Sequence, residues 1–351
     1  MIKIDTAYLS IDEAIRKVRQ DPGFIPVAID STGVEHNVVW LNVGDYQFTE
    51  SKFRYSIQNL ATQPKPGERI VTDIRMLAAD DFLAQTLYPS GFIFHISRCG
   101  STLLAKALAR APQHIVIDEG TPLNDGLWHY FTQGWQHQVA ETTENISLLR
   151  NLVLALGRKR ALEHQHYFVK FRSWNVVFLD FITRVFPDVP CLFLYRDPVE
   201  VLASADMRPV WVLDFKGLPS GAFLADVPLA RTITMSDVDF LTDLFSRYFL
   251  TALQATSNQL AYLNYDQILA QNLAPILHHA FNFSTTPATL QGMLTQFDYY
   301  SKDDSDTVRF ISDKALKQQA ATAEIRAAVA HRLDALYTQV ERSPKNLAGR
   351  L

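Results

Sequence analysis

The sequence predicts an α/β protein in which a mostly parallel sheet is flanked by helices in a three-layer arrangement. From Tyr88 onward, short apolar runs alternate with amphipathic helical patterns. Such alternation is typical of βαβ units, whose strands pair in parallel. The strand-sized runs are also apolar throughout, as expected for strands that are buried on both faces.

The predicted strands are runs of aromatic and β-branched residues. The first, Phe92–Ile96, leads through a turn at Arg98–Gly100 into a helix with an apolar face. Four more strands are expected at His114–Ile117, Tyr167–Lys170, Cys191–Tyr195 and Ala261–Asn264. Amphipathic patterns predict two long outer helices, over about 145–163 and 237–257.

Residues 1–88 differ from the remainder, and we expect an N-terminal appendage there, followed by the α/β domain over 89–351. Ser10 and Glu13 form a capping-box pattern that predicts a helix over the next ten residues, IDEAIRKVRQ. The other expected elements are a strand at Val38–Leu41, a mixed segment at Phe48–Leu60, a loop over 62–69 and a helix at Asp73–Leu87.

Composition limits the range of functions. The 351 residues include 48% hydrophobic and 20% charged residues, as in an ordinary globular protein, and carry a net charge of −4. Nothing therefore marks the chain as a nucleic-acid or membrane binder, and any anion site must be local. The two cysteines, the absence of a signal-peptide pattern and the short apolar runs favour the cytoplasm. The ten histidines have no metal-ligand spacing, so no metal is expected.

The segment GFIFHISRCGSTLLAKAL (91–108) predicts an anion site, because a buried strand runs through a glycine-containing turn directly into a helix. This arrangement directs free backbone N–H groups and the positive end of a helix dipole at one small volume. Gly100 permits close approach, Ser101 and Thr102 add hydroxyl donors, and Arg98 adds a forked cation. The lysine of a nucleoside-triphosphatase loop is missing, which disfavours a triphosphate–magnesium complex. An ordinary strand–turn–helix corner is the alternative.

A second candidate anion site lies in FPDVPCLFLYRDPVEVLAS (186–204). Arg196 is expected at the carboxyl end of a strand, where open α/β sheets bind ligands. Asp197 is suited to cap the next helix, Pro198 to begin it, and Ser204 follows two turns later. Alternatively, RDP only starts a helix, with Arg196 in a salt bridge.

Together the two motifs resemble sulfotransferases that use 3′-phosphoadenosine 5′-phosphosulfate (PAPS). SRCGSTLL is similar to the family's 5′-phosphosulfate loop, typically [KR]-S-G-T-T-[LW], with Cys99 in place of the usual serine. The R-D-P motif and its later serine resemble the 3′-phosphate site, which implies that Arg196 and Ser204 bind that phosphate. The resemblance covers roughly 90–317 and implies a P-loop-like, sulfotransferase-type fold.

The resemblance to the protein-tyrosine sulfotransferase branch also implies catalytic residues. Glu119 is the candidate base, with Asp118 as a rival, and either carboxylate is otherwise a helix cap. Lys170 is the candidate that stabilises the transition state together with Arg98, and Arg172 is its alternative. Weaker matches place further residues near the nucleotide: Tyr265, Ser305, Arg309 and Lys317.

The acceptor, a small molecule or a peptide with a hydroxyl or amine, is not specified by the sequence. The aromatic residues Trp128, Tyr130 and Trp135 follow Glu119 and are expected to pack in the core, with a place in the acceptor pocket as the alternative. The rival functions are an ATP-dependent phosphotransferase and a nucleotide-binding protein without catalytic activity.

Overall fold

The chain begins with a small mixed sheet, in a computed structural model that describes residues 6–351 except Thr32, Val34 and Asp80. Its strands are β1 (Thr6–Tyr8), β2 (Phe24–Asp30), β3 (Asn37–Asn42) and β4 (Arg69–Asp73), in the order β1-β4-β3-β2. Strand β1 pairs in parallel with β4, and the other pairs are antiparallel. Two helices lie between these strands in the sequence, α1 (Ile11–Gln20) and α2 (Phe53–Ala61). The capping box that predicted α1 is present.

The prediction of a helix over Asp73–Leu87 is wrong. Among the described residues of this segment, the helical part is a 3-10 helix over Ile74–Ala78. Gln85 then takes a left-handed backbone conformation with φ of +57°, and the Leu87 N–H donates to the carbonyl of Gly157 at 2.9 Å. Tertiary hydrogen bonds thus replace the helical ones that the local pattern favours.

A five-stranded, all-parallel sheet forms the larger part of the fold, which confirms the predicted α/β class. Its strands are β5 (Gly91–His95), β6 (His114–Asp118), β7 (His166–Lys170), β8 (Cys191–Tyr195) and β9 (Leu260–Asn264), in the order β6-β7-β5-β8-β9. All five predicted strands are therefore present. Strand β5 lies at the centre, so that β7 and β6 extend to one side and β8 and β9 to the other.

Helices flank this sheet. In chain order they are α3 (Ser101–Ala109), α4 (Asp125–Phe131), α5 (Thr143–Leu156), α6 (Leu179–Val185), α7 (Pro198–Met207), α8 (Pro219–Ala225), α9 (Leu229–Thr234), α10 (Asp237–Gln254), α11 (Leu273–Phe281), α12 (Pro287–Leu294), α13 (Lys314–Ala320), α14 (Ala323–Arg332) and α15 (Asp334–Glu341). The helix predicted over 145–163 ends earlier, at Leu156, and its C-cap, Gly157, lies against the ring of Tyr167. No helix in the described ranges has both the length and the apolarity needed to cross a membrane.

Buried side chains of the two sheets belong to one continuous core. Trp40 of β3, for example, packs edge-on against Phe82, which lies in the segment leading to β5. Strand β2 also contacts α4 and α5. The N-terminal segment therefore packs on helices that flank the larger sheet, while the division proposed at residue 88 stays a prediction.

Candidate functional site

A cavity of about 620 Å³ opens at the carboxyl ends of the parallel strands. Open α/β sheets bind their ligands at this edge. The cavity is lined by most of the residues that the sequence suggested for nucleotide binding, namely Arg98, Cys99, Gly100, Ser101, Thr102, Arg196, Ser204, Tyr265 and Lys317. Glu119 lines it as well. The fold thus brings together two motifs and a candidate base that lie far apart in the sequence.

The loop between β5 and α3 has an unusual backbone. Ser97, Arg98 and Gly100 all have positive φ, of +77°, +52° and +78°. Non-glycine residues in this conformation store strain and are concentrated at functional sites. Gly100 is the N-cap of α3 and has no side chain to accept the first N–H groups, which leaves them available to a ligand.

Gly100 is also required by its contact with Tyr265. A Cβ atom at position 100 would lie 2.7 Å from Cδ2 of the Tyr265 ring. Only glycine therefore permits this approach, in addition to the positive φ. The contact joins the first predicted anion site to the start of the segment that follows β9.

Arg98 and Cys99 have different surroundings. Arg98 donates from Nη2 to the carbonyl of Arg208 at 2.6 Å, and within the described ranges no carboxylate lies within 4.0 Å of it. Its Nε atom has no partner there either. The Cys99 thiol faces β8 and donates to the carbonyl of Leu194 at 3.4 Å. Burial raises the pKa of this thiol to about 11, so it is neutral.

The second predicted anion site contains buried cations that are paired internally. Arg196 donates from Nε to Glu200 Oε2 at 2.7 Å, and its guanidinium lies 4.0 Å from the centre of the Tyr265 ring. Lys317 Nζ lies 2.9 Å from Asp313 Oδ1, which is 3.6 Å from Arg196 Nη2. An acidic side chain thus occupies the volume between these two cations.

The N-terminus of α7 forms as the sequence predicted. Asp197 is the N-cap and accepts from the N–H groups of Val199 and Glu200, and Pro198 occupies the first turn. Glu200, in the first turn, pairs with Arg196. Ser204 follows on the same helix and is buried against the cavity.

Glu119 is surrounded by cations. Its Oε2 accepts from Lys52 Nζ at 2.6 Å and lies 3.4 Å from Arg172 Nε. Its Oε1 accepts from Lys170 Nζ at 2.9 Å. Burial by itself raises the pKa of this carboxyl, but Lys170 and Lys52 outweigh that effect and hold the pKa well below its usual range. Glu119 is therefore ionised at neutral pH.

Lys170 lies below the cavity rather than in its wall. Its side chain is 0% exposed and donates to Asp118 Oδ1 at 2.6 Å as well as to Glu119. Lys170 therefore orients the candidate base, and Arg172, the alternative named from sequence, lines the cavity instead. Asp118 is buried too, and burial raises its pKa to about 6. Neither carboxylate serves as the N-cap of the following helical turn, because Gly120 holds that position.

Several cavity residues were missed at the level of sequence. Lys52 precedes α2, and Arg54 and Tyr55 lie in its first turn. Arg208 and Lys302 also line the cavity. None of these residues belongs to a recognised motif. The signal that the sequence offers is the closely spaced pair of basic residues, Lys52 and Arg54. Of the C-terminal candidates, Arg309 lines the cavity, whereas Ser305 donates to Asp303 in an exposed turn.

The three aromatic residues that follow Glu119 pack away from the cavity. Trp128 is buried and stacks on Phe178, with ring centroids 3.8 Å apart. Trp135 packs against Phe223, and Tyr130 packs edge-on against His36. The packing that was expected by default is therefore present, and the alternative role in an acceptor pocket is not supported. The aromatic lining of the cavity comes instead from Tyr55, Trp174, Trp211, Tyr265, Tyr299, Tyr300 and Phe310.

His95 is buried at the end of β5 and lines the cavity. Its Nδ1 accepts from the Ser97 N–H at 2.9 Å, and its Nε2 lies 3.9 Å from Glu119 Oε1. Burial lowers its pKa to about 3, so the ring is neutral.

Comparison with protein-family models and with curated proteins gave no match to this chain. The function is therefore inferred from the residues of the cavity.

Proposed function

We propose that this protein is a sulfotransferase that transfers a sulfuryl group from PAPS to an acceptor hydroxyl. The observation that supports this best is the pairing of two anion sites in one cavity. The β5–α3 loop, without a P-loop lysine, suits the 5′-phosphosulfate, and Arg196 with Ser204 and Lys317 suits a phosphate on the ribose. PAPS carries an anionic group at each of these positions.

The residues present fit such a ligand. The unpartnered Nε of Arg98, the uncapped N-terminus of α3 and the backbone at Gly100 offer donors to the phosphosulfate. Tyr265, which packs on both Gly100 and Arg196, is in position to line the nucleotide between the two anionic groups. This assignment makes the sulfotransferase-type, P-loop-like architecture part of the proposal.

In the proposed reaction, the acceptor oxygen forms a bond to sulfur while the bond from sulfur to the phosphate oxygen breaks. The bond electrons remain on that phosphate oxygen, which gives adenosine 3′,5′-bisphosphate. Glu119 takes the acceptor proton, and Arg98 and the loop N–H groups stabilise the charge on the leaving phosphate. Because its pKa is low, Glu119 accepts the proton late, once the bond to sulfur has made the acceptor oxygen acidic. Lys170 and Lys52 hold the carboxylate in place.

Calorimetric titration with adenosine 3′,5′-bisphosphate tests the proposal. Wild type should bind at micromolar concentration, and Arg196→Ala should lose most of the affinity, because the 3′-phosphate loses its main charge-assisted partner. Arg16→Ala, an exposed residue of α1, is the matched control and should bind normally.

Magnesium–ADP, which lacks the 3′-phosphate, is the control ligand. Binding of magnesium–ADP as tight as that of the bisphosphate would contradict the proposal and favour an ATP-dependent phosphotransferase. Tight bisphosphate binding without sulfuryl transfer to any acceptor of a broad screen would favour a nucleotide-binding protein without catalytic activity.

A further inference from the structure

The cavity is strongly cationic although the whole chain has a net charge of −4. Its lining includes two acidic residues, Glu119 and Asp313. Its basic residues are more numerous: Lys52, Arg54, Arg98, Arg172, Arg196, Arg208, Lys302, Arg309 and Lys317. A concentration of one sign of charge in a cleft attracts a ligand of the opposite sign.

These cations divide between two halves of the cavity. Strands β8 and β9 lie on one side of the central β5 and lead into Arg196 and Tyr265. We call the region around these two residues the nucleotide half. Strands β6 and β7 lie on the other side and lead into Glu119 and Arg172. We call the region around Glu119, Arg172 and α2 the acceptor half. It has cations of its own, which the proposed nucleotide contacts do not use.

The acceptor half centres on Trp211. The guanidinium of Arg54 lies 4.3 Å from the centre of a Trp211 ring, and that of Arg172 lies 5.5 Å from it. Each arginine contacts a second ring as well, Tyr55 for Arg54 and Trp174 for Arg172, both at 4.7 Å. A guanidinium on an aromatic face keeps the N–H groups at its edge for an oxyanion. Trp211 is itself 55% exposed.

Within the part of the chain that the structure describes, Arg54 is a cation of this half without a counter-charge. Among the described residues no carboxylate lies within 4.0 Å of it, and Nη2 contacts only the hydroxyl of Tyr55, at 2.8 Å. Its Nε is buried without a partner in the same part of the chain. Arg172 shares Glu119 with Lys52 and Lys170. A second anion in this half would therefore gain charge-assisted hydrogen bonds at little cost.

We infer that the acceptor is a small aromatic alcohol or phenol that carries an oxyanion group of its own, such as a carboxylate. The ring packs against Trp211, the oxyanion binds Arg54 and Arg172, and the hydroxyl faces Glu119. This inference rests on the proposed function, because it assigns the acceptor half of the same cavity. A cationic amine is disfavoured there by the same charges.

A matched pair of probes tests the inference: 4-hydroxyphenylacetate and its neutral amide, 4-hydroxyphenylacetamide. Each is titrated calorimetrically into protein saturated with adenosine 3′,5′-bisphosphate. The carboxylate should bind at least about tenfold more tightly than the amide, since hydrogen bonds to charged groups are stronger than neutral ones. Arg54→Gln should bring this ratio close to one and leave nucleotide affinity unchanged, whereas Arg16→Gln should preserve the ratio.

Equal affinity for the two probes, no binding of either, or a ratio that Arg54→Gln leaves unchanged would overturn the inference. These outcomes are distinct from failure of the proposed function. That failure appears in the preceding titration, as loss of discrimination for the 3′-phosphate. A protein that binds the bisphosphate but shows no preference for the carboxylate keeps the first proposal and loses the second.

Discussion

The Asp313 carboxylate lies between two cations of the nucleotide half. Oδ1 is 2.9 Å from Lys317 Nζ and 3.6 Å from Arg196 Nη2. The aspartate side chain is 48% exposed, whereas those of both cations are buried. A phosphate that binds Arg196 and Lys317 must displace this carboxylate or be repelled by it.

Asp313→Asn should therefore tighten the binding of adenosine 3′,5′-bisphosphate several-fold. The amide keeps the shape of the side chain but removes the competing charge, and calorimetric titration measures the change. Asp188→Asn, an exposed loop substitution, is the control and should have no effect. Weaker binding in Asp313→Asn would show that the aspartate supports the site instead of competing for it.

Asp118 and Glu119, the two carboxylates that pair with the buried Lys170, make the free energy of unfolding depend on pH. Burial raises the pKa of Asp118 from 3.8 to about 6, so the folded protein binds a proton below pH 6 that the unfolded chain does not. The free energy of unfolding should therefore gain about 1 kcal/mol from this residue between pH 7 and pH 5. Glu119 acts in the opposite sense: its contribution is present above the ordinary value of 4.5 and is lost below it, as pH falls through its lowered pKa.

Urea unfolding at pH 7 and pH 5 checks this expectation. Asp118→Asn removes the titrating group while an amide oxygen still accepts from Lys170. The change in the free energy of unfolding from pH 7 to pH 5 should therefore be about 1 kcal/mol less favourable in the variant than in wild type. An identical pH dependence in wild type and variant would mean that Asp118 is ionised throughout.

At the scale of the element, the β5–α3 corner combines strain with tight packing. Strand β5 is paired on both sides, by β7 and β8, and therefore holds the start of the loop rigidly. The loop then turns through residues of positive φ into α3. A rigid support of this kind is what keeps a strained anion loop in its binding conformation.

Gly100→Ala should weaken nucleotide binding strongly without unfolding the protein. Its Cβ would clash with Tyr265, and φ at this position is +78°. Gly292→Ala is the matched control, because Gly292 lies within α12 and a Cβ there has open space. The control should raise stability by up to about 1 kcal/mol, through helix propensity. Thermal unfolding and calorimetric titration of both variants test this, and normal binding by Gly100→Ala would contradict the assigned loop.

At the scale of the whole molecule, Arg158, which follows α5, joins the end of that helix to two parts of the N-terminal segment. Its side chain is buried and donates to the carbonyls of Val18 at 2.6 Å and Phe82 at 2.7 Å. Val18 lies near the C-terminus of α1, where a cation is favourable to the helix dipole. The arginine thus satisfies backbone acceptors from two separate parts of the chain.

Arg158→Met should lower the free energy of unfolding by about 3 kcal/mol or more, because those buried carbonyls lose their donor. Lys159→Met, at the neighbouring position, should change it by less than about 0.5 kcal/mol. Equilibrium urea unfolding measures both variants. A small effect of Arg158→Met would mean that water or other donors replace the guanidinium.

The sequence by itself determined the parallel sheet and the two loops that follow β5 and β8. Strands buried on both faces are recognisable as continuous apolar runs, and glycine, proline and capping residues mark the turns. It did not determine the small sheet, of which only β3 was expected, because the pairing of β1 with β4 joins distant segments. The 3-10 turn at Ile74–Ala78 likewise depends on contacts outside its own segment.

Only the tertiary structure decided the surroundings of Glu119. Strand position indicated that Glu119 and Lys170 share an edge of the sheet, but not that Lys170 is buried beneath it. The approach of Lys52 and Arg54 depends on how α2 packs over that edge, which no local pattern encodes. Residues that belong to a strand–turn–helix motif are positioned by local backbone rules, whereas those brought in by packing are positioned by the shape of the whole core.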